Sequence, residues 1–409
     1  MRGLDAQVAA VLDRRLLAAS QRPIALGLSG GGDSLALLLM ARAWSQAHGR
    51  RLLVLTVDHG LNPQSAAWTK ACSARAERLG ADFQALDWTG PKPATGLPAA
   101  ARAARHRLLA DAARGAGARV LLLGHTADDG LEAQAMRRAG STTPEPREWA
   151  PSPAWPQGRG LFVLRPMLGV RRAALRSWLS RRGETWIEDP ANADPRFARA
   201  RARAELDLAD EYYGPGENVL ALAESLRPVL GGGFEAPLAA LQAAGADERR
   251  RLLALSCVCA GGGARPPRAA AAARLAAQLS GTLAGARLVV EGERALIVRD
   301  AGEAARGGLA PLALGAASVV WDGRFEISAA GEGLQVRRLA GLSTRLPPDQ
   351  RRALAALPAA ARGALPAVVD AAGAVTCPLL GDSPAGARDL TWARLRAAAG
   401  LVAREPPRS

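Results

Sequence analysis

The sequence predicts an α/β fold: a parallel-sheet domain, then a helical domain, then a small mixed or β domain at the C-terminal end. Three observations carry that expectation. Strand-like and helix-like segments alternate through the first half, which implies a parallel sheet covered by helices. Polar turns follow the first, second and fourth of those strands, on the edge where such sheets bind ligands. The chain then becomes Ala/Leu/Arg-rich near Leu206 and takes up strand-like patterning from Arg287. Its 409 residues leave room for about two or three domains, placed at 1–206, 207–286 and 287–409.

Taken in order, Ile24 to Leu28 reads as a strand and Leu35 to Ala47 as a helix. Leu52 to Val57 is a second strand, followed by a helix over Ser65 to Leu79. Phe83 to Trp88 supplies a third strand and Leu97 to Ala113 a helix. Val120 to Leu123 is a short buried strand, and a further helix runs from Asp128 to Arg138. Gly140 to Gly160, rich in Pro, Gly and Ser, reads as a long loop. Leu161 to Leu164 and Ala173 to Arg182 return to the strand–helix alternation. From Leu206 to Ala286 the pattern is helical, broken at Gly231-Gly232-Gly233 and Gly261-Gly262-Gly263. Leu288 to Val290, Leu296 to Val298 and the run from Val319 to Ile327 read as antiparallel strands.

The turn after the first strand is Ser29-Gly30-Gly31-Gly32-Asp33-Ser34. Glycines let the backbone turn sharply and bring its N–H groups close to an anion. The following helix N-terminus adds partial positive charge at the same spot. Strand, glycine turn and helix therefore make a phosphate cradle. Asp33 by itself is a poor neighbour for phosphate, which points to a Mg²⁺ ion bridging the two. No Gly-Lys-Ser/Thr follows the glycines, so this is not the Walker loop. The bland alternative is a glycine-rich turn without a ligand; its place between strand and helix favours the cradle.

The formal net charge is +15 and the isoelectric point about 11.1. Such a surplus points to a polyanionic partner: RNA, DNA or an anionic membrane. Only Lys70 and Lys92 of the 53 basic residues are lysines. A GC-rich genome gives that bias too, so the charge is informative and the choice of arginine is mostly composition. No apolar run approaches the ~20 residues of a membrane span, and the N-terminus opens as an ordinary amphipathic stretch. The expectation is a cytoplasmic protein without a membrane partner. Cys72, Cys257, Cys259 and Cys377 form no C-x-x-C pair, which supports neither a disulfide framework nor a zinc or iron–sulfur site.

The pattern S-G-G-x-D-S resembles the PP-loop of the ATP pyrophosphatases, which cleave ATP between its α- and β-phosphates. Further segments extend the resemblance in the expected order: Val57 to Leu61 (VDHGL), Ala101 to His106 (ARAARH), Gly124 to Glu132 (GHTADDGLE), Leu164 to Leu168 (LRPML), Trp186 to Asp194 (WIEDPANAD) and Arg199 to Arg203 (RARAR). Together, over roughly Ile24 to Leu206, these resemble the bacterial tRNA(Ile)-lysidine synthetases. The resemblance implies an enzyme that uses ATP and Mg²⁺ and acts on the tRNA(Ile) carrying a CAU anticodon. ATP would adenylate carbon 2 of the wobble cytidine, and the ε-amine of free L-lysine would displace AMP to give lysidine. A homodimer stays open.

On that resemblance, Ser29, Gly30, Gly31, Gly32 and Ser34 would hold the pyrophosphate, with Asp33 on Mg²⁺. Asp58 and His59 end the second strand, where nucleoside contacts belong, although His59 reads equally as a structural strand-end histidine. Asp129 and Glu132 share one helix face and suit a diamine: they would hold the ammonium groups, and one would take the ε-proton before attack. The plainer reading is an acidic cluster favoured by the helix dipole. Asp128 is placed to cap that helix, and His125 to orient the loop or contact the adenylate. Arg199 and Arg203 would grip phosphate or the lysine carboxylate, and Arg102 and Arg105 would face ATP or tRNA phosphate.

The sequence also departs from that pattern. Gly130 and Ala133 stand where the family usually carries Gln and Thr, Ala200 replaces an Asn, and His106 replaces a Tyr. The G-L-x-G-M loop expected after Gly140 is absent. Rivals are another tRNA-modifying or nucleotide-amidating enzyme of the PP-loop class, or a non-catalytic RNA-binding protein on the same fold. A thiolase would need cysteines near these turns, an amidating enzyme a glutaminase, and a decayed fold would not need Asp33, Asp129 and Glu132.

Overall fold

Apolar runs too short for helices, each followed by a turn and an amphipathic stretch, assemble into one sheet. The computed structural model describes residues 3–141, 144–189, 201–203, 212, 220–306 and 308–407. The first unit comprises Met1–Asn218 together with Val402–Ser409. Its elements are α1 (Leu4–Arg15), β1 (Ile24–Gly27), α2 (Gly32–Ala47), β2 (Leu52–Asp58), α3 (Ser65–Arg78), β3 (Asp82–Asp87), α4 (Leu97–Gly115), β4 (Val120–Leu123), α5 (Ala127–Arg138), β5 (Trp149–Pro151), β6 (Phe162–Leu164) and α6 (Arg172–Ser180). The sheet order is β3-β2-β1-β4-β6-β5, with every pairing parallel except β5 against β6.

Alternation along the strands separates two cores. Ile24, Leu26, Val54, Val120, Leu122 and Leu164 face one side, where α1, α2 and α6 contribute Leu12, Leu37 and Leu175. Ala25, Leu53, Leu55, Leu121, Leu123 and Val163 face the other, packed by Leu109, Ala110 and Ala113 of α4. A sheet buried on both faces reads as continuous apolar runs, which is why β1, β2 and β4 were legible as strands. The chain order reverses between β1 and β4, so the turns after these strands open onto the switch-point crevice. Gly124 sets how close those turns come. A side chain there would lie only 3.0 Å from the Ser34 backbone at the start of α2.

The 140–160 loop contains one feature that the sequence reading missed. β5 adds an antiparallel edge strand (Trp149 opposite Leu164, Pro151 opposite Phe162). Three residues ending in proline carry no strand signal, and an edge is where proline is tolerated. Trp149 stacks on Phe162 at 4.7 Å, and its indole N–H donates to the Val402 carbonyl at 2.6 Å. The C-terminal tail thus belongs to this unit. Glu405 is buried and accepts two hydrogen bonds from Arg50, at 2.7 and 3.0 Å, and another from the Leu17 N–H at 3.0 Å.

The second unit, Val219–Leu401, contains helices and antiparallel sheets, and it corrects the expected boundary at 286/287. Helices Leu238–Ala243, Ala246–Ala260 and Ala269–Gln278 are present. They accompany a five-stranded antiparallel sheet of β7 (Arg227–Val229), β8 (Gly233–Pro237), β9 (Gly281–Leu283), β10 (Ala286–Glu291) and β11 (Arg294–Arg299), in the order β7-β8-β11-β10-β9. Strands from both sides of 286 share one sheet and one core, so 207–286 is not a separate helical domain. The glycines at 231 and 232, read as a helix break, have φ of +101° and +76° and turn β7 into β8. A four-stranded and a three-stranded antiparallel sheet complete the unit. Asp322-Gly323, both at positive φ, form the hairpin turn that splits the 319–327 run into two strands. No helix of the described residues is long and apolar enough to cross a membrane.

Removing one member of a buried ion pair strands its partner, a loss of about 3–5 kcal/mol. Glu405→Ala is therefore expected to lower the unfolding free energy of the first unit by that order, read as a fall in its urea midpoint, because Arg50 would remain buried without its carboxylate. An unchanged midpoint would show that the tail contributes nothing to this unit.

Candidate active site

The glycine loop is shaped as much by the chain packed on it as by its own turn. Gly30 has φ +83°, and a Cβ there would approach Ile187 Cδ1 to 2.5 Å. A Cβ at Gly32 would touch the Trp186 ring at 3.3 Å. The Gly30 carbonyl accepts from the Ile187 N–H at 3.0 Å. The W-I-E-D segment therefore lies directly on the loop. Ser29 and Ser34 face each other, with hydroxyl oxygens 3.0 Å apart, and the Ser34 hydroxyl donates to the Gly31 carbonyl at 2.9 Å. Gly31 precedes the first residue of α2, so the helix N–H groups start at the loop, as an anion site requires.

At the other side of the crevice, α5 begins with a reciprocal cap. The Thr126 N–H and hydroxyl both donate to Asp129 Oδ2, at 2.9 and 3.0 Å. The cap is thus Thr126 with Asp129, not Asp128 as expected; the threonine precedes the helix by one residue more and reaches the third helical position. Asp128 instead faces α6. It accepts the Arg172 backbone N–H at 2.7 Å and lies 3.4 Å from Arg171 Nη2. The Ala127 N–H donates to the Val170 carbonyl at 2.9 Å. The starts of α5 and α6 are stitched together.

That stitching delivers the residue on which the site converges. Arg172 donates from Nε to Asp33 at 2.8 Å, from Nη1 to Glu132 at 3.2 Å and from Nη2 to Asp129 at 3.4 Å. Glu132 is fully buried and also accepts from Arg203 Nε at 2.7 Å. Burial pushes the Asp33 carboxyl above its ordinary range, and Arg172 offsets part of that effect. Burial of Arg172 disfavours its charge, but Asp33, Asp129 and Glu132 outweigh this and hold it firmly protonated. Three carboxylates from two turns thus share one cation. Arg172 was not singled out in the sequence, where it is one arginine among many; only its place at the head of a helix after Leu164 to Leu168 could have marked it.

Basic groups from α4 and from the turns after β4 and β6 act on one another next to Asp129. His125 and His106 are buried, and His125 Nδ1 and both His106 ring nitrogens have no hydrogen-bond partner among the described residues. Burial lowers both imidazole pKa values and Arg102, Arg105 and Arg165 lower them further, with Asp129 opposing the shift at His125; that of His106 falls to about 3. Arg102 and Arg105 act on His125 through their charge. Asp58 and His59 do not join the carboxylates. Asp58 accepts the Gly60 N–H at 2.7 Å, and His59 packs edge-on against Trp88, 5.9 Å between centroids. Arg199 lies outside the described residues, as does the Pro190 to Asp194 part of the W-I-E-D-P segment. Gly130, where a glutamine was expected, is explained by Tyr212, whose ring would overlap any Cβ there.

For Mg²⁺ the fit is that of a substrate-assisted site. No cluster of three metal-ligating side chains exists among the described residues. One partly exposed carboxylate, Asp33, beside a phosphate cradle is what Mg²⁺ uses when phosphate oxygens and water complete its shell.

The buried neutral imidazoles tie stability to pH. A histidine with a folded pKa near 3 against 6.5 unfolded contributes fully above about pH 6.5 and loses that contribution as pH falls toward 3. His106→Phe is expected to remove about 2 kcal/mol of the wild-type loss between pH 7.5 and pH 5, as read from urea midpoints. Parallel pH curves for the two proteins would contradict the assignment.

Comparison with known proteins agrees with this geometry. Residues 4–208 match the PP-loop domain family. The tRNA(Ile)-lysidine synthase of Caulobacter vibrioides is 49% identical, and the alignment covers 98% of each chain. That of Mesorhizobium japonicum is 44% identical over 48% of this chain and 44% of its own. On the full-length match and the domain it contains, the chain belongs to the tRNA(Ile)-lysidine synthase family of PP-loop proteins.

Proposed function

We propose that this protein converts the wobble cytidine of a CAU-anticodon tRNA(Ile) to lysidine, using ATP and free L-lysine and releasing AMP and pyrophosphate. One observation carries the reading beyond family membership. Asp33 at the phosphate cradle and Asp129 and Glu132 on α5 meet on the same guanidinium. A nucleotide tail and a cationic amino acid can therefore share one crevice.

In this reading Ser29, Ser34 and the loop N–H groups bind the β- and γ-phosphates, and the α2 terminus stabilises charge as the α–β bond breaks. Mg²⁺ held by Asp33 would neutralise phosphate charge when bound. Attack by the cytidine carbonyl oxygen on the α-phosphorus forms the adenylate and expels pyrophosphate. Asp129 and Glu132 then orient lysine through its ammonium groups, and one of them takes the ε-proton as nitrogen attacks carbon 2 and AMP leaves. Arg203, paired with Glu132 and about one-third exposed, is placed to hold the AMP phosphate or the lysine carboxylate, and Arg199 is assigned the same role from sequence alone. Arg102 and Arg105 would face tRNA phosphate. The +15 charge supplies the long-range attraction, and the second unit is assigned to tRNA contacts.

Incubation with unmodified tRNA(Ile), ATP and lysine is expected to add one lysine residue at the wobble base, read by mass spectrometry of nuclease digests. AMP release without that adduct would point to a different acceptor. Asp33→Ala is expected to cut adenylation by about 10²–10³-fold. Asp129→Ala should instead raise the lysine KM by about 10–100-fold, the worth of one charge-assisted hydrogen bond. Equal loss of both steps in both variants would refute the division of roles.

A further inference from the structure

Arg172 has no task in the scheme above, yet it occupies the middle of the crevice. Its side chain is 14% exposed. Its fork spends donors on three carboxylates from two different turns, and Asp128 fixes its backbone N–H. Arg203 also meets Glu132, but from a side chain that is 35% exposed, and it reaches neither Asp33 nor Asp129 among the described contacts. The acidic groups assigned to a substrate ammonium thus already carry a tethered guanidinium. The two cations differ in shape. A guanidinium is a flat fork of divergent donors, whereas an ammonium is compact and needs only one oxygen lone pair per donor. Each ionised carboxylate offers about four such sites. The fork therefore leaves acceptor capacity for an ammonium, while a second fork finds its position filled.

We propose that Arg172 is a specificity-determining residue of the amine subsite: its tethered guanidinium bars free arginine and other guanidines from Asp129 and Glu132, reserving them for a primary ammonium. The proposal rests on the reading that Asp129 and Glu132 hold the amino-acid substrate.

Full-length wild type, Arg172→Ala and Arg172→Lys are compared in lysine-dependent turnover with added L-arginine, after thermal melts establish that each folds. In Arg172→Ala, arginine competes with lysine at a concentration about tenfold lower than in wild type or less, the scale of a charge-assisted pair. Arg172→Lys raises the lysine KM more than Arg172→Ala does, because a tethered ammonium takes the same lone pairs. A purely structural role predicts the reverse order, with the conservative lysine milder. Equal arginine sensitivity in wild type and Arg172→Ala, or a milder lysine variant, overturns the proposal. If Arg172→Ala melts below the assay temperature, Arg172→Gln carries the same comparison. Absence of wild-type turnover with lysine counts against the proposed function, whereas normal wild-type turnover with an arginine-insensitive Arg172→Ala counts against this inference alone.

Discussion

A single guanidinium holds together acids that would otherwise repel. Asp33, Asp129 and Glu132 come from two turns far apart in sequence, and all lie within 3.4 Å of Arg172 nitrogens. Two like charges about 4 Å apart interact by roughly 4 kcal/mol at an effective dielectric near 20. Without a cation between them, whether tethered or bound from solution, these acids would repel one another or take up protons. The rest of the unit is arranged to supply that cation. β1 and β4 are neighbours at the switch point, Gly124 lets their turns close to contact, and Asp128 ties the head of α6 to the head of α5. Fold and site are here the same constraint seen at two scales.

The basic cluster of α4, His125 and Arg165 follows from the same economy of charge. His106 and His125 are buried among Arg102, Arg105 and Arg165, and burial keeps both imidazoles neutral. A protonated histidine there would add to an already cationic wall. Arg165 itself is buried, and its pKa drops to about 10 through desolvation and its arginine neighbours. The electrostatic outcome is a set of carboxylates neutralised by Arg172 and Arg203, with neutral imidazoles among the neighbouring arginines.

Much of the first unit was legible because its signals are local. Continuous apolar strands, a glycine turn after β1 and polar turns after β2 and β4 depend on neighbouring residues alone, and they place Asp33, Asp129 and Glu132 on one edge. What was not legible is non-local. Arg172 looks like any arginine in this chain until Asp128 fixes where α6 starts. Glu405 lies 355 positions from Arg50, and nothing in an Arg/Pro-rich tail announces a buried carboxylate. Gly231 to Gly233 breaks a helix as readily as it turns a hairpin, so β7, β8 and β9 of the five-stranded sheet lie in a stretch whose pattern reads as helical, while β10 and β11 carry a clear strand pattern. Asp58 and His59 were placed on the correct edge, but their described contacts are with Gly60 and Trp88 rather than the carboxylates. The departures at Gly130 and His106 turn out to be packing events: Tyr212 takes the space beside Gly130, and the imidazole fills a buried site.

The shared cation is tested most directly by a crystal structure of the ligand-free protein at a resolution that fixes the Arg172 side chain. The account predicts guanidinium nitrogens within about 3.5 Å of Asp33, Asp129 and Glu132 together, the ordinary reach of charge-assisted contacts. An Arg172 fork turned to solvent, with Asp33 and the α5 carboxylates opening into separate cavities, would contradict it.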